Sequence, residues 1–329
     1  MPSNVNWKDQ LGIELGWVWR PIDRVGVYVP GGKASYPSSA IMNLSPARVA
    51  GVEDIVLVSP SPNGIHNPLT VYASYRLNVT QILRLGGAQA IAALAFGTES
   101  IKRVDKVVGP GNSFVTEAKK QLYGYVGIDS IAGPSEILVI ADRHSNPKWV
   151  AMDLLSQAEH DEEARAILIS NSKDFIKKVN KYLLGFLKSI KRKKIAMKSI
   201  KKNGLAILIQ DINFAHCVAN YIAPEHLEIM TKNKKFLAKK IINAGAIFMG
   251  EYTPEAFGDY IAGPSHVLPT SGNARFDSGL SVLDFLKRTS YIEANKRGLK
   301  NTLHSIETLG NSEGLDAHVK SAKIRFSKD

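Results

Sequence analysis

Apolar residues along the chain gather in short runs that alternate with amphipathic stretches and glycine turns. Arg24-Val25-Gly26-Val27-Tyr28-Val29 reads as a strand that enters a tight turn at Pro30-Gly31-Gly32. Asp54 to Val58 has the near-continuous apolar character of a strand buried on both faces of a parallel sheet. Gln81 to Leu85 and Val104 to Val108 repeat the theme, each followed by a turn, Gly86-Gly87 and Gly109-Pro110-Gly111. Helices fill the intervals. One starts at Pro37, since proline is tolerated in a first turn. Another runs from Leu69 to Leu77 and stops at Asn78, a residue that accepts the left-handed conformation common at helix ends. Ala88 to Phe96 is an alanine-rich helix, and Asn112 caps a helix that continues through Gln121.

A second series begins at Ile137 to Ala141. It continues with a helix from Pro147 to His160, strands Ala166–Ile169, Leu205–Ile209 and Gly245–Met249, and long lysine-rich helices between them. Strand-turn-helix units at this rhythm imply right-handed crossovers and parallel sheets. The expected fold class is therefore α/β, with two Rossmann-like domains and a small helical C-terminal extension from about Leu280. The expected division is an N-terminal remnant over 1–27, a nucleotide-contacting domain over 28–134, a catalytic domain over 135–281 and a helical tail over 282–329.

Composition narrows the classes. The 329 residues are 44% hydrophobic and 22% charged, as in a globular protein with a sizeable core. No apolar run is long enough to span a membrane, and Met1 to Lys8 lacks the apolar run of a signal peptide. The single cysteine, Cys217, forms no internal disulfide, lies in no motif and fits a reducing compartment, so the expected location is the cytoplasm. The net charge of +12 comes largely from lysines between 173–202 and 232–240, which read as solvated helix faces. Without interleaved aromatics or a nucleic-acid motif, neither nucleic acid nor membrane is expected as a partner. No G-x-G-x-x-G follows the first strand and no Walker motif is present. The three glycine turns at strand C-terminal ends are still suited to a ligand crevice.

Four segments carry groups for proton or metal chemistry. Glu225-His226 places the two side chains most used for proton transfer near neutral pH side by side, and on a strand or turn adjacent residues point in different directions. Gln157 and His160 are three apart on the expected helix and so share a face. Phe257 to Thr270 is dense in glycine and proline, reads as a structured loop and exposes Asp259 and His266. Glu313 and His318 stand near the C-terminus. Two imidazoles, one carboxylate and one amide oxygen suit Zn²⁺ or Mn²⁺ with positions left open for a substrate.

With these strings in place the sequence resembles the L-histidinol dehydrogenase family. The resemblance is carried by Tyr28 to Gly32, Gly86 to Ala92, Gly109 to Asn112, Ala132 to Glu136, Ser156 to Asp161, Ala223 to Glu228, Gly258 to Thr270 and Glu313-Gly314-Leu315 with His318. It implies an enzyme that oxidises L-histidinol to L-histidine in two NAD-dependent steps through an enzyme-held aldehyde. It implies one zinc ion per subunit held by Gln157, His160, Asp259 and His318, with His318 and Glu313 supplied by the other subunit of a homodimer. His226 matches the base that takes the hydroxyl proton, and Glu225 the base that activates water. Ser135, His266 and Glu313 match substrate contacts, as do the four metal ligands and His226. Tyr28, Gln89 and Asn112 match contacts to NAD.

Family members carry about a hundred further residues before the counterpart of Val25, so a missing N-terminal part of the catalytic domain, with poor folding or loss of activity, is expected. The alternatives are a paralogue acting on another small amino alcohol or diol, and an inactive truncated remnant.

Overall fold

The computed structural model describes residues 1–31 and 36–327, so Gly32 of the first glycine turn lies outside the described residues. Contacts divide the chain into two units, Ile22–Phe285, and Met1–Pro21 with Leu286–Asp329. In the second of these, β1 (Val5–Lys8) and β2 (Glu14–Pro21) pair antiparallel, with Val5 opposite Trp17.

The unit Ile22–Phe285 holds two five-stranded parallel sheets. The first contains β3 (Arg24–Tyr28), β4 (Asp54–Val58), β5 (Gln81–Leu83), β6 (Lys106–Val108) and β7 (Gly127–Ile128), in the order β5-β4-β3-β6-β7. Four helices connect them: α1 (Pro37–Ala50), α2 (Pro68–Arg76), α3 (Gly87–Phe96) and α4 (Ser113–Leu122). Caps fix where helices start. Asn67 accepts from Leu69 and Thr70 ahead of Pro68, and Asn112 accepts from the Val115 N–H at 3.1 Å. Val56, Val58 and Val107 of the sheet bury against Ile91 and Leu94 of α3 and Val115 of α4. The apolar runs are strands because both of their faces are covered.

The second sheet has the order β10-β9-β8-β11-β12. Its elements, in chain order, are β8 (Glu136–Ile140), α5 (Pro147–Ala158), β9 (Arg165–Ser170), α6 (Lys173–Phe186), α7 (Lys193–Asn203), β10 (Leu205–Leu208), α8 (Ala215–Ile222), β11 (His226–Ile229), α9 (Lys234–Lys240), β12 (Ala246–Met249) and α10 (Glu255–Tyr260). Alternate residues of β8 serve opposite faces. Ile137 and Val139 pack with Leu154 and Leu155 of α5 and with Phe175, Val179 and Leu183 of α6. Leu138 and Ile140 pack with Ala215 and Ala219 of α8 and Leu237 of α9. The lysines of α6 and α7 are mostly left on the outer faces.

Beyond Phe285 the chain forms β13 (Leu286–Glu293), α11 (Lys296–Ser312) and α12 (Asp316–Lys323). β13 pairs antiparallel with the whole of β2, Leu286 opposite Pro21 and Glu293 opposite Glu14. The expectation of a mostly helical tail from Leu280 therefore needs correction. β13 is exposed at every residue after Leu286, so it carries no buried stripe that a hydrophobic pattern can reveal. The short N-terminal strands were likewise not expected. Among the described residues no helix is long and apolar enough to cross a membrane.

Candidate active site

In the first sheet the strand order reverses at β3, whose neighbours are β4 and β6. The C-terminal ends of strands around such a point form the ligand crevice of doubly wound sheets. Tyr28 ends β3, buried, and its hydroxyl accepts the Gly87 N–H at 3.2 Å, at the start of α3. Gln89 lies exposed in the first turn of that helix, and Asn112 caps α4 after β6. The turn between β6 and α4 is held from beneath. Asp129 accepts the Gly109 N–H at 2.7 Å and pairs with Lys119, whose ammonium also donates to the Gly109 carbonyl at 3.1 Å. Gly109 has φ +108°, and a β-carbon there would collide with the Tyr28 backbone, so only glycine fits. This buried pair escapes sequence reasoning, because Lys119 and Asp129 lie in none of the strings that carry recognisable chemistry.

The Glu225-His226 pair, expected for proton transfer, sits at the opposite pole of the second sheet, at the N-terminal ends of β8 and β11. The chain leaves α8 through Ala223, a non-glycine residue at φ +53°, and passes Pro224 and Glu225 into β11 at His226. His226 lies opposite Ile137 of β8 and Ala246 of β12. Glu225 and His226 were expected to point apart, and here they converge. The Glu136 N–H donates to Glu225 Oε2 at 2.8 Å, His226 Nδ1 stands 2.9 Å from the Glu136 carbonyl, and Nδ1 is 3.7 Å from Glu225 Oε2. The physical reason is that Glu225 precedes the strand, so its side chain folds back over the first peptide of β8. The Glu136 carbonyl places the imidazole proton on Nδ1. Nε2, buried and without a hydrogen-bond partner among the described residues, is left with its lone pair.

Burial dominates the electrostatics. It pushes the His226 imidazole down to about 4, against the opposing bond to Glu136, so the ring is neutral at ordinary pH. It pushes the Glu225 carboxyl well above the usual carboxylate range, and the Glu136 N–H only partly offsets this. Burial likewise lowers His160, although Asp259 acts in the opposite direction.

A compact donor cluster adjoins this pair. Ligand atoms of His160, Asp259 and Glu255 all lie within 4.8 Å of one another. Gln157 is fully buried in the last turn of α5, and the amide orientation that satisfies its surroundings puts its nitrogen 3.0 Å from Glu255 Oε1 and 3.0 Å from His226 Nδ1. Two expectations change here. His160 lies beyond α5, which ends at Ala158, and it stays near Gln157 because its N–H donates to the Gln157 carbonyl at 3.1 Å. Asp259 is on helix α10 and not on a loop, and the Asp259 and His266 side chains are only 15% and 14% accessible. Pro254 is the residue just before this helix, and the Glu228 carboxylate accepts the first helical N–H at 2.8 Å, so the turn forms despite the glycine at 258. His266 Nδ1 stands 3.0 Å from the Asp259 carbonyl. Ser135 immediately precedes β8, where its carbonyl accepts the Arg165 N–H at 3.0 Å. Glu313 and His318 belong to the other unit, where they are exposed, Glu313 capping α11 and His318 on α12. Glu255 was missed, although it lies four residues before Asp259, the spacing that puts both on one helix face.

The donors fit a borderline divalent cation: the neutral imidazole of His160 and the carboxylates of Asp259 and Glu255 converge in a half-buried setting. With a buried neutral base and a carboxyl of raised affinity for protons beside them, the arrangement is suited to removing protons from a substrate held at one place.

Comparisons with known proteins agree with this chemistry. The histidinol dehydrogenase family pattern matches residues 1–326. Histidinol dehydrogenase 1 of Nostoc sp. is 51% identical over 326 residues, which cover 99% of this chain and 76% of that protein. Histidinol dehydrogenase of Aquifex aeolicus is 51% identical over 323 residues, covering 98% and 75%. The crystal structure of histidinol dehydrogenase from Elizabethkingia anophelis superposes with a TM-score of 0.93 at 36% identity, covering 99% of this chain and 75% of that one. A putative aldehyde dehydrogenase, PutA, from Anabaena variabilis shares the fold alone, with a TM-score of 0.56 at 11% identity. These comparisons do not support the expected lack of about a hundred N-terminal residues. The match along nearly the whole length, at about half identity, shows that the chain belongs to the histidinol dehydrogenase family.

Proposed function

We propose that the protein oxidises L-histidinol to L-histidine in two successive NAD-dependent steps, the final steps of histidine biosynthesis. The observation that carries this reading is His226, a buried neutral imidazole whose Nδ1 proton is held by the Glu136 carbonyl and whose Nε2 is free to accept a proton.

In the first step His226 Nε2 takes the hydroxyl proton as a hydride departs from the carbinol carbon. The product is an aldehyde. A water molecule must add to it before a second hydride can leave, and Glu225, 3.7 Å from His226 Nδ1, takes the proton of that water. Adjacent residues serve successive steps because one residue, Glu136, orients both of them, Glu225 through its backbone N–H and His226 through its carbonyl. Bound zinc supplies an anchor for the nitrogen donors of the substrate, and NAD⁺ supplies the hydride acceptor. Gln157, His160 and Asp259 are the residues of this unit that would hold the zinc, with His318 of the second subunit of a homodimer as the fourth ligand. Ser135, His266 and, from that second subunit, Glu313 contact the substrate in this reading. Tyr28, Gln89 and Asn112 contact NAD at the first sheet's crevice.

The test is stoichiometry with the purified, zinc-loaded protein. Each L-histidinol consumed is expected to give two NADH and one L-histidine. Turnover of another amino alcohol or diol, with none of histidinol, would overturn the assignment in favour of a paralogous dehydrogenase.

A further inference from the structure

Glu255 is a carboxylic acid with 2% of its surface exposed, and among the described residues no Lys or Arg side chain pairs with it. Burying such a group without a cation is costly, so its retention calls for a partner that needs it. Its position is tightly held. It is the first residue of α10, and its N–H donates to the buried Glu228 carboxylate at 2.8 Å. One turn later the same helix presents Asp259.

The partner is Gln157. The two ends of a primary amide differ: the oxygen ligates cations, and the NH₂ group only donates hydrogen bonds. The Gln157 amide is satisfied in one orientation, with its nitrogen 3.0 Å from Glu255 Oε1, 3.2 Å from Glu255 Oε2 and 3.2 Å from the Glu136 carbonyl. The nearby His226 Nδ1 already carries the proton that goes to that carbonyl, so the amide protons go to the carboxylate and the carbonyl. With the nitrogen committed, the oxygen is the end left for a cation.

We propose that Glu255 is a positioning residue, whose carboxylate holds the Gln157 amide with its nitrogen turned away and its oxygen presented to the cation that His160 and Asp259 bind. The proposal rests on the zinc reading above. Without the carboxylate, the amide is free to turn its NH₂ group toward the metal, where it repels a cation.

The experiment is a double-mutant cycle read by zinc affinity, measured by competition with a chromophoric chelator on the full chain. The wild type, E255Q, Q157A and the double variant are compared, and melting of the metal-free proteins checks that each folds. E255Q is expected to weaken zinc binding about 10- to 100-fold, as loss of partners that orient metal ligands does. In the Q157A background the same change is expected to add less than about twofold, since its target is gone. Equal zinc affinity for E255Q and the wild type overturns the proposal. So does an undiminished effect of E255Q in the Q157A background, which would make Glu255 a ligand in its own right. Should E255Q fail to fold, E255D enters the cycle with the same expected directions, because its shorter side chain withdraws the carboxylate from the amide. If the wild type itself takes up no zinc, it is the metal reading that fails.

Discussion

His226 and Glu225 share a peptide and differ in what burial does to them. The imidazole is held neutral down to about 4, whereas the Glu225 carboxyl is pushed well up. The aldehyde oxidation is therefore expected to lose its base at a higher pH than the alcohol oxidation. Separate pH–rate profiles for histidinol and for the aldehyde read this directly, and coincident acid limbs would contradict it. Glu225→Gln is expected to spare the first hydride transfer and slow the second by about 10²- to 10⁴-fold. His226→Asn is expected to slow the first by a similar factor. Single-turnover NADH yields separate the two. The Glu-His pair was legible in the sequence as a proton-transfer candidate. That its members converge was not, because Glu136, which draws them together, lies 89 residues before Glu225 and takes part through its backbone.

Elements place these groups, and two buried carboxylate sites show how. The Glu228 carboxylate accepts the first N–H of α10 and so seats the helix that carries Glu255 and Asp259. Beside it, burial pushes the Asp153 carboxyl up to about 6. A carboxyl raised in the folded state favours folding when protonated. Its contribution is fully present below its ordinary 3.8 and is lost as the pH rises through about 6. Asp153→Asn is expected to match the wild type near pH 4 and to exceed its unfolding free energy at pH 8 by about 1–3 kcal/mol, measured by urea titration at both pH values. The other site is Lys119–Asp129 under the turn between β6 and α4. Lys119→Met strands a buried carboxylate, so a loss of about 3–5 kcal/mol is expected together with a higher KM for NAD. An unchanged KM would separate this staple from nucleotide binding. Helix α10 illustrates the limit of pattern reading: its glycine reads as loop, while the carboxylate that seats its first turn stands 27 residues earlier, in β11.

At the scale of the whole molecule, folding and metal binding are coupled if the donor cluster holds zinc. Removing zinc with a chelator is expected to lower the melting temperature, and returning it to restore the original value, the stabilisation reaching about 4 kcal/mol at a thousandfold excess over Kd. The proposed sharing of the site between subunits has its own readout. Mixed dimers of inactive Gln157→Ala and His318→Ala chains are expected to recover activity, because one of their two sites is intact. No recovery would place both residues in one subunit's site or remove His318 from it.

The runs of apolar residues determined most strands of the two parallel sheets, since a strand buried on both faces is mostly apolar; β7 and β11 escaped them, the first being two residues long and the second burying His226 and Glu228. Local strings likewise determined the family and named Gln157, His160, Asp259, Glu225 and His226. Tertiary structure alone decided which backbone groups face those side chains, that Glu255 joins them, and that Lys119 meets Asp129. It also decided that an exposed segment such as Leu286–Glu293 is a strand, because its partner, Glu14–Pro21, stands at the other end of the chain. Hydrogen bonds between groups so distant leave no period in the sequence, and burial, which does, says only which side of an element is inside.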